Sequence, residues 1–281
     1  FISLKKAGSS FKGLSPFSQE KTPSFMVSPA KQIWKDFSSG KGGNVVAFLM
    51  EHEGFSYPEA LKYLAKKYNI EIKEFSNTPE EQIKFDLRES IYIALSFSCE
   101  YYMENLNSTD KGKSIGMSYL NTRGFSMESI KKFGLGISFN EKKSFTNHAL
   151  KKGYEISILE KSGLTIKEGK EGFDRFKNRI MFPIKSISGR VLGYGARIMS
   201  SSRKIAKYIN SPESEVYQKS KVLYGLFESK SNIIKEDNCL LVEGYTDVIQ
   251  LHQKGIKNVV SSSGTALSSD QIMLVKRLTE N

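Results

Sequence analysis

Cysteine is almost absent from this chain, with only Cys99 and Cys239 among 281 residues. Two thiols so far apart in the sequence do not make the disulfide framework of a small secreted domain. No apolar run reaches the roughly 18 residues that a membrane span needs. The first residues also lack the basic and apolar regions of a secretory signal. These absences exclude the disulfide-rich and membrane classes, so we expect a cytoplasmic protein with no membrane partner.

Negative charge is also scarce, since 42 Lys and Arg face 30 Asp and Glu and the formal net charge is +12. An excess of positive charge favours a polyanionic partner, because each phosphate contact releases condensed counterions. The absence of a basic amphipathic helix favours nucleic acid over acidic lipid. A lysine-rich, solvated surface would give the same composition, so charge alone leaves both interpretations open.

Hydrophobic patterning and turn residues predict an α+β chain with several domains. Residues 1–72 read as short strands between turns, followed by two helices, the first capped by Asn44. The polar stretch 73–84 is typical of a linker. Residues 85–235 alternate helices and strands and include a hairpin, which predicts a mixed α/β domain. Residues 236–281 begin with a strand, a helix and a strand, a unit that implies a parallel sheet.

The block from residue 171 to 235 carries most of the excess charge, with thirteen Lys and Arg against five Asp and Glu. Its cations alternate with aromatic residues, and this mixture suits a single strand because cations hold phosphates while rings stack on unpaired bases. We therefore predict a groove for single-stranded nucleic acid. A solvated basic face over an aromatic core is the alternative.

Glu243 directly follows a short apolar strand, at the edge of the sheet where open α/β folds bind ligands. Gly244 allows the chain to turn there, and Asp247 lies one helical turn further on, so both acids can face the same side. This pattern predicts metal binding or proton transfer. The alternative is a pair of ordinary acids near a helix N-terminus, which the helix dipole favours.

The first unit has the turn layout of a zinc ribbon, with short strands between two knuckle-like loops. A structural zinc site needs four Cys or His ligands in a tetrahedral array. The knuckle positions hold Ser15, Ser18, Asp36 and Ser39 instead. Serine hydroxyls are poor zinc ligands and one carboxylate cannot hold the ion, so we predict that this unit binds no zinc.

Taken together, these motifs resemble bacterial DNA primases of the DnaG type along the whole chain. Residues 13–25, GLSPFSQEKTPSF, match that family's GLCPFHxEKTPSF, and residues 35–43 look like its KCFGCGxGG. All three cysteines and the histidine of those motifs are replaced, while the flanking residues remain. Residues 179–184 and 207–213 are similar to the family's polymerase core. Residues 242–248, VEGYTDV, match the first acidic motif of a Toprim domain.

The resemblance implies synthesis of short RNA primers on a single-stranded DNA template, from ribonucleoside triphosphates, with Mg²⁺ or Mn²⁺ as cofactor. Glu243 would carry over as the catalytic, metal-holding glutamate. The partner aspartates are expected beyond Asn281, so we expect a fragment that is inactive alone. A replicative helicase is the implied protein partner, docked on a C-terminal domain that these residues do not include. The residues predicted to contact template and nucleotide are Arg175, Arg179, Arg197, Lys207, Tyr208, Asn210, Lys219 and Lys221.

A non-catalytic module that binds single-stranded DNA, derived from a primase, is the main alternative. The missing zinc ligands and the early end of the chain favour it, whereas the intact Glu243 motif and basic block count against it. Another Toprim protein, such as a topoisomerase or nuclease, is disfavoured by the N-terminal ribbon and by residues 207–212.

Overall fold

The structure is a computed structural model that describes residues 1–55, 57–71, 79–169, 171–199, 205–263 and 266–281. It confirms the expected mixture of helices and sheets. Part of the predicted linker, residues 73–78, lies outside the described residues, and a helix already begins at Pro79. Within the described ranges, no helix is long and apolar enough to cross a bilayer.

The N-terminal unit is a five-stranded antiparallel sheet with two helices. Its small core is aromatic: Phe17, Phe25 and Trp34 are buried, and the rings of Phe25 and Trp34 stack with centroids 5.3 Å apart. Asn44 caps the first helix as predicted, because its Oδ1 accepts a hydrogen bond from the Ala47 amide at 2.9 Å. The elements are β1 (Lys5–Ala7), β2 (Ser10–Gly13), β3 (Phe25–Ser28), β4 (Ile33–Asp36), β5 (Gly42–Gly43), α1 (Val45–Glu53) and α2 (Tyr57–Tyr68).

The middle of the chain is built around a four-stranded antiparallel sheet, in the order β11-β10-β9-β6. The predicted hairpin is confirmed, since β9 and β10 pair around a turn at Ser188-Gly189. A separate two-stranded sheet joins β7 to β8. The elements are α3 (Pro79–Ser108), a π-helix (Gly112–Met117), α4 (Ser118–Thr122), α5 (Met127–Phe133), β6 (Gly136–Ser138), α6 (Ser144–Lys151), α7 (Ile156–Lys161), β7 (Thr165–Glu168), β8 (Glu171–Asp174), β9 (Arg179–Lys185), β10 (Val191–Ile198) and β11 (Tyr208–Asn210).

Both faces of this central sheet are buried. Successive side chains of a strand point to opposite faces, so neighbouring residues of β9 belong to different clusters. Ile180 and Phe182 of β9 pack into a cluster that includes Tyr245 from the C-terminal part of the chain. Met181 and Tyr194 belong to a second cluster, together with residues of α3. The sheet therefore carries a core on each side.

The C-terminal part contains the predicted βαβ unit. Strands β12 and β13 are parallel, with Leu240 opposite Val259. Helix α9 connects the two strands and packs on β13. The elements are a 3₁₀ helix (Lys219–Lys221), α8 (Leu226–Glu236), β12 (Leu240–Val242), α9 (Tyr245–Gln253), β13 (Val259–Ser261) and α10 (Ser269–Lys276).

Lys230 of α8 joins the N-terminal unit to the rest of the molecule. The side chain is 3% exposed, and its Nζ donates to the Glu53 carbonyl at the end of α1 and to the Ile187 carbonyl at 3.1 Å. Its Nζ also lies 3.4 Å from a Glu53 carboxylate oxygen. A buried ammonium with three oxygen partners fixes α1 against α8 and the β9–β10 turn.

Candidate functional site

Glu243 lies between the end of β12 and the start of α9, which is the sheet edge predicted from the sequence. Its side chain is exposed, and its carbonyl accepts a hydrogen bond from the Ser261 hydroxyl at 2.6 Å. Among the described residues, no hydrogen bond or ion pair engages its carboxylate. The Asp247 carboxylate accepts a hydrogen bond from the Gly244 amide at 3.1 Å, as in a capping box. Glu243 is thus the freer of the two acids.

Tyr245 connects this edge to the central sheet. Its ring stacks on Phe182 with centroids 5.8 Å apart, and its hydroxyl donates to Asn210 Oδ1 at 2.7 Å. The approach requires glycine at position 195, because a Cβ there would lie 2.2 Å from the Tyr245 ring. The backbone two residues after Glu243 is therefore fixed against β10 and β11.

Arg197 and Tyr208 face each other across β10 and β11. The guanidinium donates from Nε to the Tyr119 hydroxyl at 2.7 Å and from Nη1 to the Tyr208 hydroxyl at 2.5 Å. Burial alone would lower the pKa of Arg197, and the hydrogen bonds to the two phenols outweigh it and raise the pKa. Asn210 lies on the same face as Tyr208, since the two are separated by one residue of a strand. These side chains adjoin Tyr245 and form one polar network.

Arg179 lies on the opposite face of the sheet from Arg197. In the β9–β10 register Arg197 pairs with Ile180, and Arg179 pairs with Ile198. Arg179 is 5% exposed and donates to the Ala196 and Ala206 carbonyls at 3.2 and 3.1 Å. In this structure the Arg179 side chain braces the backbone of β10, and its predicted contact with template phosphate stays a prediction.

The other predicted contacts differ in exposure. Arg175 is half-buried, and its Nε is buried without a hydrogen-bond partner in the described structure. Lys207 is exposed just before β11. Lys219 and Lys221 lie on the 3₁₀ helix, where Gln271 of α10 donates to the Lys219 carbonyl at 3.1 Å. The structure thus connects Arg197 to Tyr208, and Tyr208 to Asn210 through Tyr245, whereas these four cations stay predicted contacts.

Some cations of the basic block form ion pairs with a carboxylate of the described chain, and others do not. Arg190 forms two hydrogen bonds with the Glu89 carboxylate, at 2.8 and 2.9 Å. In contrast, the described residues supply no carboxylate partner within ion-pair distance to Arg175, Arg179 or Arg197. Arg175 is half-buried and Arg179 and Arg197 are buried, and such cations without an internal anion are suited to an external one.

The four knuckle positions of the N-terminal unit are connected by hydrogen bonds around Asp36. Asp36 is fully buried, and Ser15 and Ser39 both donate hydrogen bonds to its carboxylate. Ser18 lies within 2.5 Å of the Ser38 hydroxyl, which in turn contacts Asp36. Three hydroxyls and one carboxylate do not fit the sulfur and nitrogen donors of a structural zinc site.

A metal at the Glu243 edge would need more ligands than this one side chain. Within the described residues, no group of three or more His, Cys, Asp or Glu is arranged to hold an ion. Carboxylate oxygens do match the preference of Mg²⁺. Glu243 therefore fits one ligand position of such a site.

Sequence reasoning did not single out Tyr119, Gly195 or Tyr245 as parts of the site. Each lies in a segment that is similar to the family's sequences, and this similarity is the signal by which the sequence could have pointed to a functional role. Their roles depend on contacts between distant segments, and no local pattern reveals those.

Profiles of three protein families match successive parts of the chain. Residues 1–80 match the CHC2 zinc finger, residues 101–230 the N-terminal domain of the DNA primase catalytic core, and residues 237–281 the Toprim domain. The Toprim match indicates divalent-metal binding. The first match indicates a zinc ribbon by family, although the ligand positions hold serine and aspartate.

Curated relatives and solved structures agree with these matches. A DNA primase from Clostridium acetobutylicum is 41% identical over 280 residues, which cover 98% of this chain and 45% of that protein. The zinc-binding and RNA polymerase domains of the Aquifex aeolicus primase are 33% identical, with a TM-score of 0.63, over 100% of this chain and 66% of that one. A DnaG primase catalytic domain bound to single-stranded DNA is 33% identical, with a TM-score of 0.63, over 70% of this chain and 60% of that one. The chain therefore spans about half the length of the curated relatives.

Proposed function

The chain belongs to the bacterial DNA primase family, and we propose that it contributes the template groove and the first catalytic carboxylate to synthesis of RNA primers on single-stranded DNA. The carrying observation is the continuous network from Tyr119 through Arg197 and Tyr208 to Asn210 and Tyr245. It joins the basic surface to the edge that bears Glu243.

In this proposal the template phosphates contact Arg175, Arg197 and Lys207 along the sheet, with Lys219 and Lys221 at the end of the groove. Cations without internal anions support that assignment, and the half-buried Tyr208 ring is available for stacking on a base. Arg179 acts from the other face by holding β10 in place. The solved DnaG primase catalytic domain bound to single-stranded DNA supports the same partner.

Glu243 would hold a divalent ion, Mg²⁺ or Mn²⁺, together with further carboxylates of the whole protein. The ion, when bound, neutralises triphosphate charge and lowers the pKa of the attacking hydroxyl. Glu243 itself has an exposed carboxylate that can bind the ion or accept the proton of the 3′-hydroxyl. Ribonucleoside triphosphates and a replicative helicase are the partners that family membership supports, and the bacterial replisome in the cytoplasm is the proposed location.

Ribonucleotide incorporation on single-stranded DNA tests this function, with the complete protein and its Glu243→Gln variant compared in Mg²⁺. We expect primers from the parent and a loss of at least about 100-fold in the variant, because one metal-holding or proton-accepting group is worth several kcal/mol in the transition state. Glu236→Gln, the same change at an exposed site on α8, is the matched control and should retain activity. Template binding without any incorporation by the parent would favour the non-catalytic binding module instead.

A further inference from the structure

The Asp36 carboxylate accepts several side-chain and backbone hydrogen bonds in the N-terminal unit. Oδ2 accepts from the Ser15 hydroxyl at 2.8 Å, from the Ser39 amide at 3.1 Å and from the Ser39 hydroxyl. The Ser38 hydroxyl lies 3.2 Å from both carboxylate oxygens, and the Ser24 hydroxyl lies 3.2 Å from Oδ1. Both knuckle loops and Ser24, the residue before strand β3, therefore meet at one side chain.

The first knuckle is connected to this centre through Ser15. Its Oγ accepts the Phe17 and Ser18 amides at 3.0 and 3.1 Å, and donates its own proton to Asp36. The Ser15 amide donates to Glu20 Oε1 at 2.6 Å, which fixes the start of the turn. Because these four donors have acceptors within the protein, the turn is held without an ion at its centre.

The charge of Asp36 is compensated by these donors. The residue is 0% exposed, and no cation lies within ion-pair distance of it among the described residues. Burial alone would raise the pKa of Asp36, yet the hydrogen bonds from Ser39, Ser15 and Ser38 outweigh burial and lower it. A buried carboxylate that remains ionised needs such a set of donors, so the serines are required as a group.

We propose that the Asp36 carboxylate and its ring of serine hydroxyls replace the zinc ion as the cross-link between the two knuckles. Asp36 stands at the position of one family ligand and fills the centre with its own oxygen, while Ser15 and Ser39 stand at two other positions and point donors at that oxygen. The frame of the ribbon is retained, and the cross-link is built from the protein alone.

This substitution makes the ribbon independent of both zinc supply and thiol chemistry. The first cysteine of the chain is Cys99, so the N-terminal unit has no thiolate for an oxidant to attack. The inference concerns how the unit is held together, and it stands whether or not the chain takes part in priming.

Trp34 provides a local probe for the test. It is the only tryptophan in the chain, it lies in the N-terminal core, and it is two residues from Asp36. We would measure zinc content and thermal unfolding by Trp34 fluorescence, before and after dialysis against a strong chelator. We expect no stoichiometric zinc and an unchanged melting temperature in the parent chain. One zinc per chain, with a lower melting temperature after its removal, would overturn the proposal.

Two variants make the test specific. Asp36→Asn removes the charge but nearly preserves the shape, and should lower the melting temperature reported by Trp34 by about 10 °C, because it leaves partly buried donors without an acceptor. Asp110→Asn, the same change at an exposed carboxylate, is the matched control. Equal melting temperatures for the two variants would contradict the central role of Asp36.

The converse variant restores the family ligands by combining Ser15→Cys, Ser18→His, Asp36→Cys and Ser39→Cys. Because the knuckle frame is retained in our proposal, this variant should bind one zinc per chain and lose stability in chelator. A folded variant that binds no zinc would show that the frame has changed. The parent measured beside it, under the same chelator, distinguishes restored metal dependence from general fragility.

Discussion

At the scale of single residues, Arg197 is a nearly buried cation held by two phenols. Tyr119 and Tyr208 accept from different nitrogens of the guanidinium, so the planar group has a fixed orientation with donors to spare. Arg190 differs, because its two terminal guanidinium nitrogens already donate hydrogen bonds to the Glu89 carboxylate. This contrast supports the proposal that Arg197, rather than Arg190, contacts an external phosphate.

Replacing Arg197 by lysine should weaken single-strand binding by about 10-fold, because a single ammonium nitrogen lacks the planar fork by which separate guanidinium nitrogens reach the two phenols and a phosphate. Arg190→Lys should change the affinity by less than about twofold, as expected for a partly exposed ion pair. Fluorescence anisotropy with a labelled oligonucleotide measures both. Equal losses in the two variants would mean that only net charge matters.

At the scale of elements, the contact of α9 with the central sheet decides where Glu243 lies. Tyr245, the first residue of α9, crosses onto β10 where Gly195 leaves room for its ring. The hydroxyl of Tyr245 then reaches Asn210 on β11. The carboxylate edge and the groove are therefore held in register by one side chain.

Gly195→Ala should push α9 away from the sheet, since its Cβ would overlap the Tyr245 ring. We expect a loss of about 1–3 kcal/mol in unfolding free energy, together with impaired priming by the complete protein. Tyr245→Phe keeps the ring and removes only the hydroxyl, so it should cost about 1 kcal/mol. Chemical denaturation compares the two, and a stable Gly195→Ala variant would refute the close packing.

His252 couples α9 to α8 in a pH-dependent way. Its Nε2 lies 3.0 Å from the Ser229 hydroxyl, which itself donates to the Val259 carbonyl, so the ring must donate from Nε2. Burial, with Lys132 and Lys257 nearby, lowers the pKa of His252 to about 4. The unfolded chain takes up this proton near pH 6.5 and the folded chain does not, so stability falls as pH drops from 6.5 towards 4.

The expected loss over that range is about 3 kcal/mol. His252→Gln retains a donor towards Ser229 and cannot titrate, so the difference between parent and variant should shrink as the pH falls. Urea denaturation at several pH values measures it. Parallel stability profiles for parent and variant would contradict the neutral, buried histidine.

Local pattern predicted the elements better than it predicted the site. The apolar residues of β9, β10 and β12 predict strands, because hydrophobic periodicity and turn residues determine local structure over a few positions. The face on which Arg179 or Arg197 lies depends on the register of the hairpin, which the sequence does not state. The contact of Tyr245 with Gly195 joins segments far apart in the chain, so only the folded chain reveals it.

At the scale of the whole molecule, α8 is the connection between the N-terminal unit and the rest. Lys230 reaches Glu53 and Ile187, Ile234 of the same helix packs on the aromatic core of the ribbon, and Ser188 donates to Glu59 at 3.0 Å. No sequence pattern indicates this docking, because a lysine in a basic block is normally solvated. The contacts hold the ribbon beside the β9–β10 turn.

Lys230→Met should release the N-terminal unit, because methionine fills similar space but leaves the Glu53 and Ile187 carbonyls without a donor. Small-angle scattering should show a larger radius of gyration. Lys235→Met, an exposed lysine on the same helix, is the control and should match the parent. An unchanged radius for Lys230→Met would mean that apolar packing alone holds the unit.

The most direct test of the central claim measures template binding and primer synthesis in the same preparations of the complete protein, for Glu243→Gln and for Arg197→Lys. If the groove and the carboxylate edge are separate parts of one site, Glu243→Gln binds the template normally and makes no primer. Arg197→Lys then binds weakly, and recovers synthesis as the template concentration rises. Loss of both properties in both variants, or of neither, would contradict the account.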